Sequence, residues 1–124
     1  MSSYILILNL PENSTIKIGA LGTFKFPEGQ YTYVGSGSLS RIRRHFIREK
    51  RLHWHIDYLL QKAIPLEAWI GELEEKTLVK ILERKLKPSV KGFGSSDTGN
   101  YSHLFSGKPD REFLHHLGYR KAQI

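Results

Sequence analysis

Short apolar blocks recur along this chain at two spacings, one typical of strands and one typical of helices. The block YILILNL, Tyr4 to Leu10, is apolar at nearly every position and ends before Pro11, which predicts a strand covered on both faces. The blocks QYTYVG and LEAWIG predict two further strands. Between the first two strands, residues 11–29 hold short alternating pieces around glycines, which predicts an added hairpin arm.

A spacing of three to four residues predicts helices in other parts of the chain. Leu39, Ile42 and Phe46 predict a first helix from Leu39 to about Leu52, and Ser38 before it is a candidate N-cap. The other predicted helices are HWHIDYLLQKA before Pro65, a third from Glu72 or Glu74 to Leu86, and the short segment KPDREFLHHLGY.

The order of these elements indicates a single α+β domain over residues 1–124, with a small antiparallel or mixed sheet and helices packed on it. The chain has no cysteine, which excludes disulfides and thiolate metal sites. The apolar run near the N-terminus is too short for a membrane span and lacks the basic start of a secretory signal. We therefore expect a cytoplasmic protein with no membrane contact.

Positive charge is concentrated in one segment of the chain. The formal net charge is +7 and the isoelectric point is about 9.7, values that with clustered Lys and Arg are typical of a nucleic-acid binder. Between Arg41 and Arg51, Glu49 is the only acidic residue. The other interpretation is a basic surface with no ligand. The candidate nucleic-acid contacts are Arg43, Arg44, Arg48, Lys50, Arg51 and, from the strand before them, Tyr31.

The stretch QYTYVGSGSLSRIRRH joins a strand to the basic helix through a turn of glycines and serines. Tyr31 and Tyr33, two residues apart, share one face of the strand, and the first amides of a helix favour anions. The side chains that fall together opposite the apolar stripe of the helix are those of Arg41, Arg44, Arg48 and Arg51. Phenol, guanidinium and amide groups can thus converge on a phosphate. The alternative is two aromatic strand residues beside a solvated helix face.

Glu75 is the acidic residue that the helical pattern singles out. In a projection of the third helix it lies roughly 20° from the centre of the apolar stripe. A carboxylate near an apolar face needs a partner, a metal or a pocket, and a single carboxylate can hold Mg²⁺ that keeps several waters. The alternative is a first-turn glutamate that the helix dipole stabilises and that tilts into water.

The motif HWHID contains His53, His55 and Asp57. In a strand these residues would share a face and could bind a metal. In the predicted helix successive members point about 200° apart, so a histidine metal site is not favoured.

The motifs GQYTYVGSG, RIRRH, HWHIDYLL, EEKTL, GFGSSDT and YSHLF follow one another over nearly the whole chain. With them the sequence resembles the GIY-YIG nuclease superfamily, and within it a group of small archaeal and bacterial domains, some of them attached to endonuclease III. The resemblance implies a three-stranded antiparallel sheet flanked by helices. It also implies cleavage of DNA with Mg²⁺ or Mn²⁺ as cofactor, and a functional link to a DNA repair glycosylase of the endonuclease III type.

The resemblance further implies roles for five side chains. Tyr4 stands at the tyrosine of the family's first motif, and Tyr33 belongs to the second motif, YVG. Arg41 matches a helical arginine that would stabilise charge on the scissile phosphate, and His45 matches its partner four residues on. Glu75 matches the metal-binding glutamate, and the tyrosines and His45 would transfer protons or position water.

The sequence departs from the family's first motif, because serines replace its glycine and isoleucine and the arm lengthens the interval from Tyr4 to Tyr33. Tyr31 is therefore the alternative to Tyr4. Two functions fit the sequence: a divalent-metal-dependent endonuclease that hydrolyses DNA in repair, or a non-catalytic nucleic-acid-binding module with a degenerate nuclease site. DNA is the expected partner, and RNA is the other polymer that the basic segment allows.

Overall fold

The structure is a computed structural model that describes residues Met1 to Ile124. Its strands are β1 (Ser3–Leu10), β2 (Ser14–Ile18), β3 (Gly22–Phe26), β4 (Gly29–Gly35), β5 (Ile64–Gly71), β6 (Lys87–Pro88), β7 (Leu104–Ser106) and β8 (Arg120–Lys121). Its helices are α1 (Leu39–Phe46), α2 (His55–Leu59), α3 (Glu75–Leu82) and α4 (Arg111–His116), together with a 3₁₀ turn at Gly19–Leu21. No helix has the length and apolar character that a membrane crossing requires.

The main sheet is antiparallel throughout and has six strands in the order β6-β7-β4-β1-β5-β8. The expected three-stranded sheet is therefore wrong in extent, although β4, β1 and β5 are the three strands that the sequence predicts. The other three strands contain only two or three residues each, which is too short for an alternating pattern to show. They form by pairing with the edges of the long strands, a contact between residues far apart in sequence.

The central strand, β1, is covered on both faces, as its continuous apolar pattern predicts. Leu6 and Leu8 belong to a core that lies beneath α1, α2 and the arm, and Ile5 and Ile7 belong to a second core beneath α3 and α4. Each of these side chains is at most 2% exposed. At about 1.5–3 kcal/mol for each fully buried aliphatic side chain, β1 contributes strongly to both cores.

The predicted hairpin arm is confirmed, because β2 and β3 form a separate two-stranded antiparallel sheet. Ile16, Ile18 and Phe26 direct its apolar side into the first core. The arm is therefore a packed part of the domain.

The first helix ends earlier than its sequence pattern predicts. Ile47 already has extended backbone, with φ −82° and ψ 122°, so the predicted continuation to Leu52 is wrong. Ser38 occupies the N-cap position, but its hydroxyl pairs with that of Ser40 and caps no helix amide. Because α1 is short, only the first three arginines of the basic segment, Arg41, Arg43 and Arg44, lie in the helix.

Candidate active site

A polar cleft lies where the ends of several elements meet on one side of the sheet. Its walls are the carboxyl end of β4, the first turn of α1, the segment before α2, the start of α3 and the loop of residues 94–97, the cleft loop. Its volume is about 240 Å³. Tyr33, Arg41 and Glu75, which the sequence assigns to one site, all line it. Two consecutive elements, β4 and α1, and the distant α3 therefore deliver a phenol, a guanidinium and a carboxylate to one concave surface.

A much smaller cavity, of about 20 Å³, shares Tyr33 and Arg41 with the cleft and is closed on its other side by Tyr4 and His45. A cavity of this size has room for about one water molecule. The five side chains of the predicted catalytic set thus line either the cleft or the cavity beside it.

Tyr4 and His45 form a buried hydrogen-bonded pair. The Tyr4 hydroxyl oxygen lies 2.6 Å from His45 Nε2, and each residue is 1% exposed. The other ring nitrogen of His45, Nδ1, has no hydrogen-bond partner in the protein. Gly35 makes room for the pair, because a Cβ atom at this position would lie 2.4 Å from the Tyr4 ring.

The two tyrosines of the site are held in their neutral form. Burial, with the neighbouring Tyr33 phenol, raises the pKa of Tyr4 far above its usual value. Burial, with the Glu75 carboxylate, likewise raises the pKa of Tyr33. At neutral pH both side chains are therefore O–H groups, which donate hydrogen bonds and do not act as ready-made phenolates.

The buried state of His45 should make the fold sensitive to mild acid. Burial lowers the pKa of His45 to about 4 from its usual 6.5, so below pH 6.5 the unfolded chain binds a proton that the folded chain does not. The stabilisation that comes from the neutral His45 is complete above pH 6.5, and it is lost as the pH falls towards 4. The loss should reach roughly 3 kcal/mol in the free energy of unfolding.

Urea denaturation of wild type and His45→Gln between pH 7.5 and pH 4 measures this loss. The glutamine variant should lack the His45 part of the pH dependence, whereas His116→Gln, at an exposed position on α4, should behave as wild type does. An identical pH dependence in wild type and His45→Gln would contradict the prediction.

Trp54 holds the arginine of the site in place. The Arg41 guanidinium carbon lies 4.2 Å from the centroid of the Trp54 ring, and Arg41 Nη1 donates a hydrogen bond to the carbonyl of Ser36. Stacking of a guanidinium on an indole fixes its plane without neutralising its charge. The remaining N–H groups of Arg41 are free of protein acceptors and can meet an anion in the cleft.

Arg44, a candidate nucleic-acid contact, is instead engaged within the protein. It donates two hydrogen bonds to the buried Asp57, of 2.7 and 2.9 Å, and a third of 2.7 Å to the carbonyl of Arg51. The amides of His53 and Trp54 also donate to Asp57, each at 2.8 Å. Arg44 thus links α1 to the start of α2 and has little hydrogen-bonding capacity left for a phosphate.

The rest of the basic segment lies near the surface, with Arg43 in the last turn of α1 and Arg48, Lys50 and Arg51 beyond its end. Arg43 and Arg51 are exposed, and their guanidinium groups make no hydrogen bond to the protein. Arg48 donates to the backbone carbonyl just before β5, over 3.3 Å, and Lys50 donates to a carbonyl three residues earlier in the chain. Arg43 and Arg51 are therefore the residues of this segment most available to a partner.

Tyr31 does not reach the cleft. It is 3% exposed, packs edge-on against Phe26 with ring centroids 6.2 Å apart, and donates its hydroxyl to the carbonyl of Pro27 over 2.6 Å. Tyr31 shares a strand face with Tyr33, as predicted, but it lies two residues earlier in β4 and packs against the arm. Tyr4, and not Tyr31, is the tyrosine that the fold sets beside Tyr33 and His45.

Glu75 has the partner that its place near the apolar stripe requires. Its Oε2 atom lies 3.3 Å from Nδ1 of His103, a fully buried residue whose Nδ1 also lies 3.2 Å from the carbonyl of Val34. The Nε2 atom of His103 contacts Thr98 at 2.8 Å and Asn100 at 3.1 Å. The imidazole therefore connects the carboxylate to β4 and to the loop that precedes β7.

The cleft contains carboxylate oxygens of the kind that a hard divalent cation prefers, although the protein has no group of three or more His, Asp or Glu side chains that could hold a metal ion. The Glu75 side chain is 24% exposed, its Oε1 atom makes no hydrogen bond within the protein, and Asp97 lines the same cleft. Mg²⁺ and Mn²⁺ prefer oxygen ligands, and Mg²⁺ is commonly held by one or two carboxylates while water and phosphate complete its shell. Glu75, with Asp97 beside it, is the residue that would hold such an ion.

Trp54, His55 and His103 were not predicted as members of the site. The motifs HWHIDYLL and YSHLF contain them, so the sequence did mark the right segments. The predicted second helix began too early, however: α2 starts at His55, and His53 and Trp54 lie in the extended segment before it, where they face the cleft.

The family described as Domain of unknown function DUF123 matches residues 3–120 of the chain. This range contains every element from β1 to α4 and every residue of the cleft. No curated protein and no solved structure matches the chain.

Proposed function

The chain belongs to the family described as Domain of unknown function DUF123, and we propose that it is an endonuclease that hydrolyses phosphodiester bonds of DNA with a divalent cation. We further propose that the family is a branch of the GIY-YIG nucleases and acts in DNA repair, in company with a glycosylase of the endonuclease III type. The motifs quoted above support this placement, because the residues they share with those nucleases line one cleft or the small cavity beside it.

The observation that carries the proposal is the convergence of Tyr33, Arg41 and Glu75 on a single polar cleft, with Tyr4 and His45 directly behind it. Hydrolysis of a phosphodiester requires positive charge at the phosphate, a water that loses a proton, and a group that receives this proton. Each requirement has a side chain of the right chemistry at this place.

The roles follow from the contacts of each group. Arg41, fixed on Trp54, stabilises the negative charge that grows on the phosphate oxygens. Tyr33, a neutral phenol whose hydroxyl has no partner in the protein, donates a hydrogen bond that positions the attacking water or the phosphate. A cation held by Glu75, with Asp97 beside it, would add Lewis-acid stabilisation of the same charge.

Tyr4 and His45 form the route by which a proton leaves the attacking water. As the water oxygen attacks phosphorus, its proton passes to the Tyr4 oxygen and the Tyr4 proton passes to His45 Nε2, 2.6 Å away. The bond from phosphorus to the leaving oxygen breaks in the same displacement. The lowered pKa of His45 keeps the imidazole unprotonated before the reaction, and it also makes the ring a weaker base than a free imidazole, so the ring would accept the proton only as the water attacks.

A second function, a nucleic-acid-binding module without catalysis, is favoured by the exposed Arg43 and Arg51 of the basic segment. Binding through these residues needs neither the cation nor the buried pair. Loss of each phosphate contact should flatten the log–log salt dependence of DNA binding by about one unit. Arg43→Ala and Arg51→Ala are the informative variants, because Arg44 is occupied by Asp57.

A cleavage assay on branched, nicked and single-stranded DNA tests the enzyme proposal. We expect cleavage by wild type with Mg²⁺ or Mn²⁺, none in EDTA, and a loss in kcat on the order of 10²-fold for Arg41→Ala. Arg84→Ala, an exposed arginine after α3, is the matched control and should cleave as wild type does. Binding of DNA without cleavage of any substrate would favour the binding module instead.

A further inference from the structure

His55, the first residue of α2, forms part of the cleft wall and has a fixed orientation. Its Nδ1 atom accepts a hydrogen bond of 2.8 Å from the amide of Gly94, and its ring packs against Phe93 with centroids 5.7 Å apart. An amide N–H can only donate, so Nδ1 must present its lone pair. The hydrogen bond from Gly94 thus determines which nitrogen of the His55 imidazole carries the proton.

The proton of a neutral imidazole whose Nδ1 accepts a hydrogen bond resides on Nε2. Nε2 of His55 makes no hydrogen bond to the protein. It is also not fully enclosed, since the one enclosed side-chain atom without a partner is Nδ1 of His45. Burial also lowers the pKa of His55, which favours the neutral ring. His55 therefore presents an uncharged N–H donor with a known direction, in the same cleft as Arg41.

We propose that His55 binds substrate by donating its Nε2–H to a phosphate oxygen of the nucleic acid in the cleft. This inference rests on the proposed function, since it assigns a contact to the same site. Arg41 supplies positive charge on one wall of the cleft, and His55 supplies an uncharged hydrogen-bond donor with a fixed direction on another wall. Such a pair favours an oxyanion such as a phosphodiester over a monatomic anion, because one oxygen must contact Arg41 and a second must lie where the Nε2–H of His55 points.

Two substitutions test the roles of Nδ1 and Nε2 of His55 separately. In His55→Asn the side-chain oxygen stands near the position of Nδ1 and can still accept from Gly94, but the distal donor is lost. In His55→Gln the side-chain amide reaches the position of Nε2 and can still donate into the cleft. The exposed His116→Asn on α4 is the control for the change in residue type.

The affinity for a fluorescently labelled single-stranded oligonucleotide, measured by anisotropy in EDTA at several salt concentrations, is the test. We expect His55→Asn to bind about tenfold more weakly than wild type, the effect of one hydrogen bond to a charged group. Its salt dependence should keep the wild-type slope, because no cation has been removed, whereas Arg41→Ala should flatten the slope by about one unit. His55→Gln should recover most of the affinity.

Long-range ¹H–¹⁵N correlation spectra at neutral pH give a readout that needs no substrate, and they should show His55 as the Nε2–H tautomer. A ring protonated on Nδ1, or an affinity of His55→Asn equal to that of wild type, would overturn the inference and leave the nuclease proposal standing. Wild type that neither binds nor cleaves nucleic acid would overturn both.

Discussion

Replacement of Glu75 by glutamine is expected to lower the rate of metal-dependent DNA cleavage on the order of 10³-fold. The amide has the size of the carboxylate and can still accept a hydrogen bond from His103, so the packing of α3 should be preserved. It lacks the negative charge by which a carboxylate binds a divalent cation more strongly than a neutral amide oxygen does. The loss should therefore appear in kcat and in binding of Mn²⁺ to the free protein, measured by titration calorimetry.

Glu83→Gln, an exposed position just after α3, is the matched control and should retain full activity. The thermal unfolding temperature of Glu75→Gln and its affinity for DNA in EDTA should both equal those of wild type. Undiminished cleavage by Glu75→Gln would remove this carboxylate from the site. Equal loss of cleavage and of folded protein would instead show a structural role.

Replacement of Asp57 by alanine is expected to cost about 3–5 kcal/mol of stability, the usual penalty for removing one partner of a buried ion pair. The Asp57 side chain is completely buried, and its loss leaves the Arg44 guanidinium and two backbone amides without their acceptor. For a domain with a total stability of about 5–15 kcal/mol, this is a large fraction. Urea denaturation at neutral pH measures the change.

The pH dependence of stability gives a second measure of the same contact. Burial raises the pKa of Asp57, but hydrogen bonds from Arg44 and from the amides of Trp54 and His53 outweigh this effect, and the net shift is downward. The contribution of Asp57 is therefore complete above the pKa of the unfolded chain and is lost as the pH falls below about 4. The stability of Asp57→Ala should not show this decrease at low pH.

Asp97→Ala, at an exposed position in the cleft loop, is the control and should change stability by less than about 0.5 kcal/mol. The double variant Arg44→Ala/Asp57→Ala should be less destabilised than the sum of the two single variants, because it leaves no unpaired charge. Additive effects would contradict the assignment of these two residues to one interaction.

The long elements of the fold could be predicted because their patterns are local. Continuous apolarity identified β1 as a central strand, and the alternation between residues 11 and 29 identified the arm. The edge strands β6, β7 and β8 could not be predicted in this way, because two or three residues carry no period and pairing with β4 or β5 defines them. The end of α1 at Phe46 was likewise not predicted; beyond it Arg48 donates to the carbonyl of Ala63, a residue distant in sequence.

The site could be predicted only as far as residue type and helical position allow. The place of Glu75 beside the apolar stripe correctly indicated that it needs a partner, but nothing in the sequence identified that partner as His103. The four arginines projected onto one face separated in the structure, because Asp57 captures Arg44 and the chain leaves the helix before Arg48. Contacts between residues distant in sequence decided each of these cases.

The missing Cβ of Gly35 couples the two tyrosine motifs of the chain. Any larger residue at this position would occupy the volume of the Tyr4 ring, so the tyrosine of one motif requires the glycine of the other. Positions 4 and 35 should consequently vary together among related sequences. A chain that has lost this glycine would have to give up the aromatic ring at position 4 as well, and with it the hydrogen bond between Tyr4 and His45.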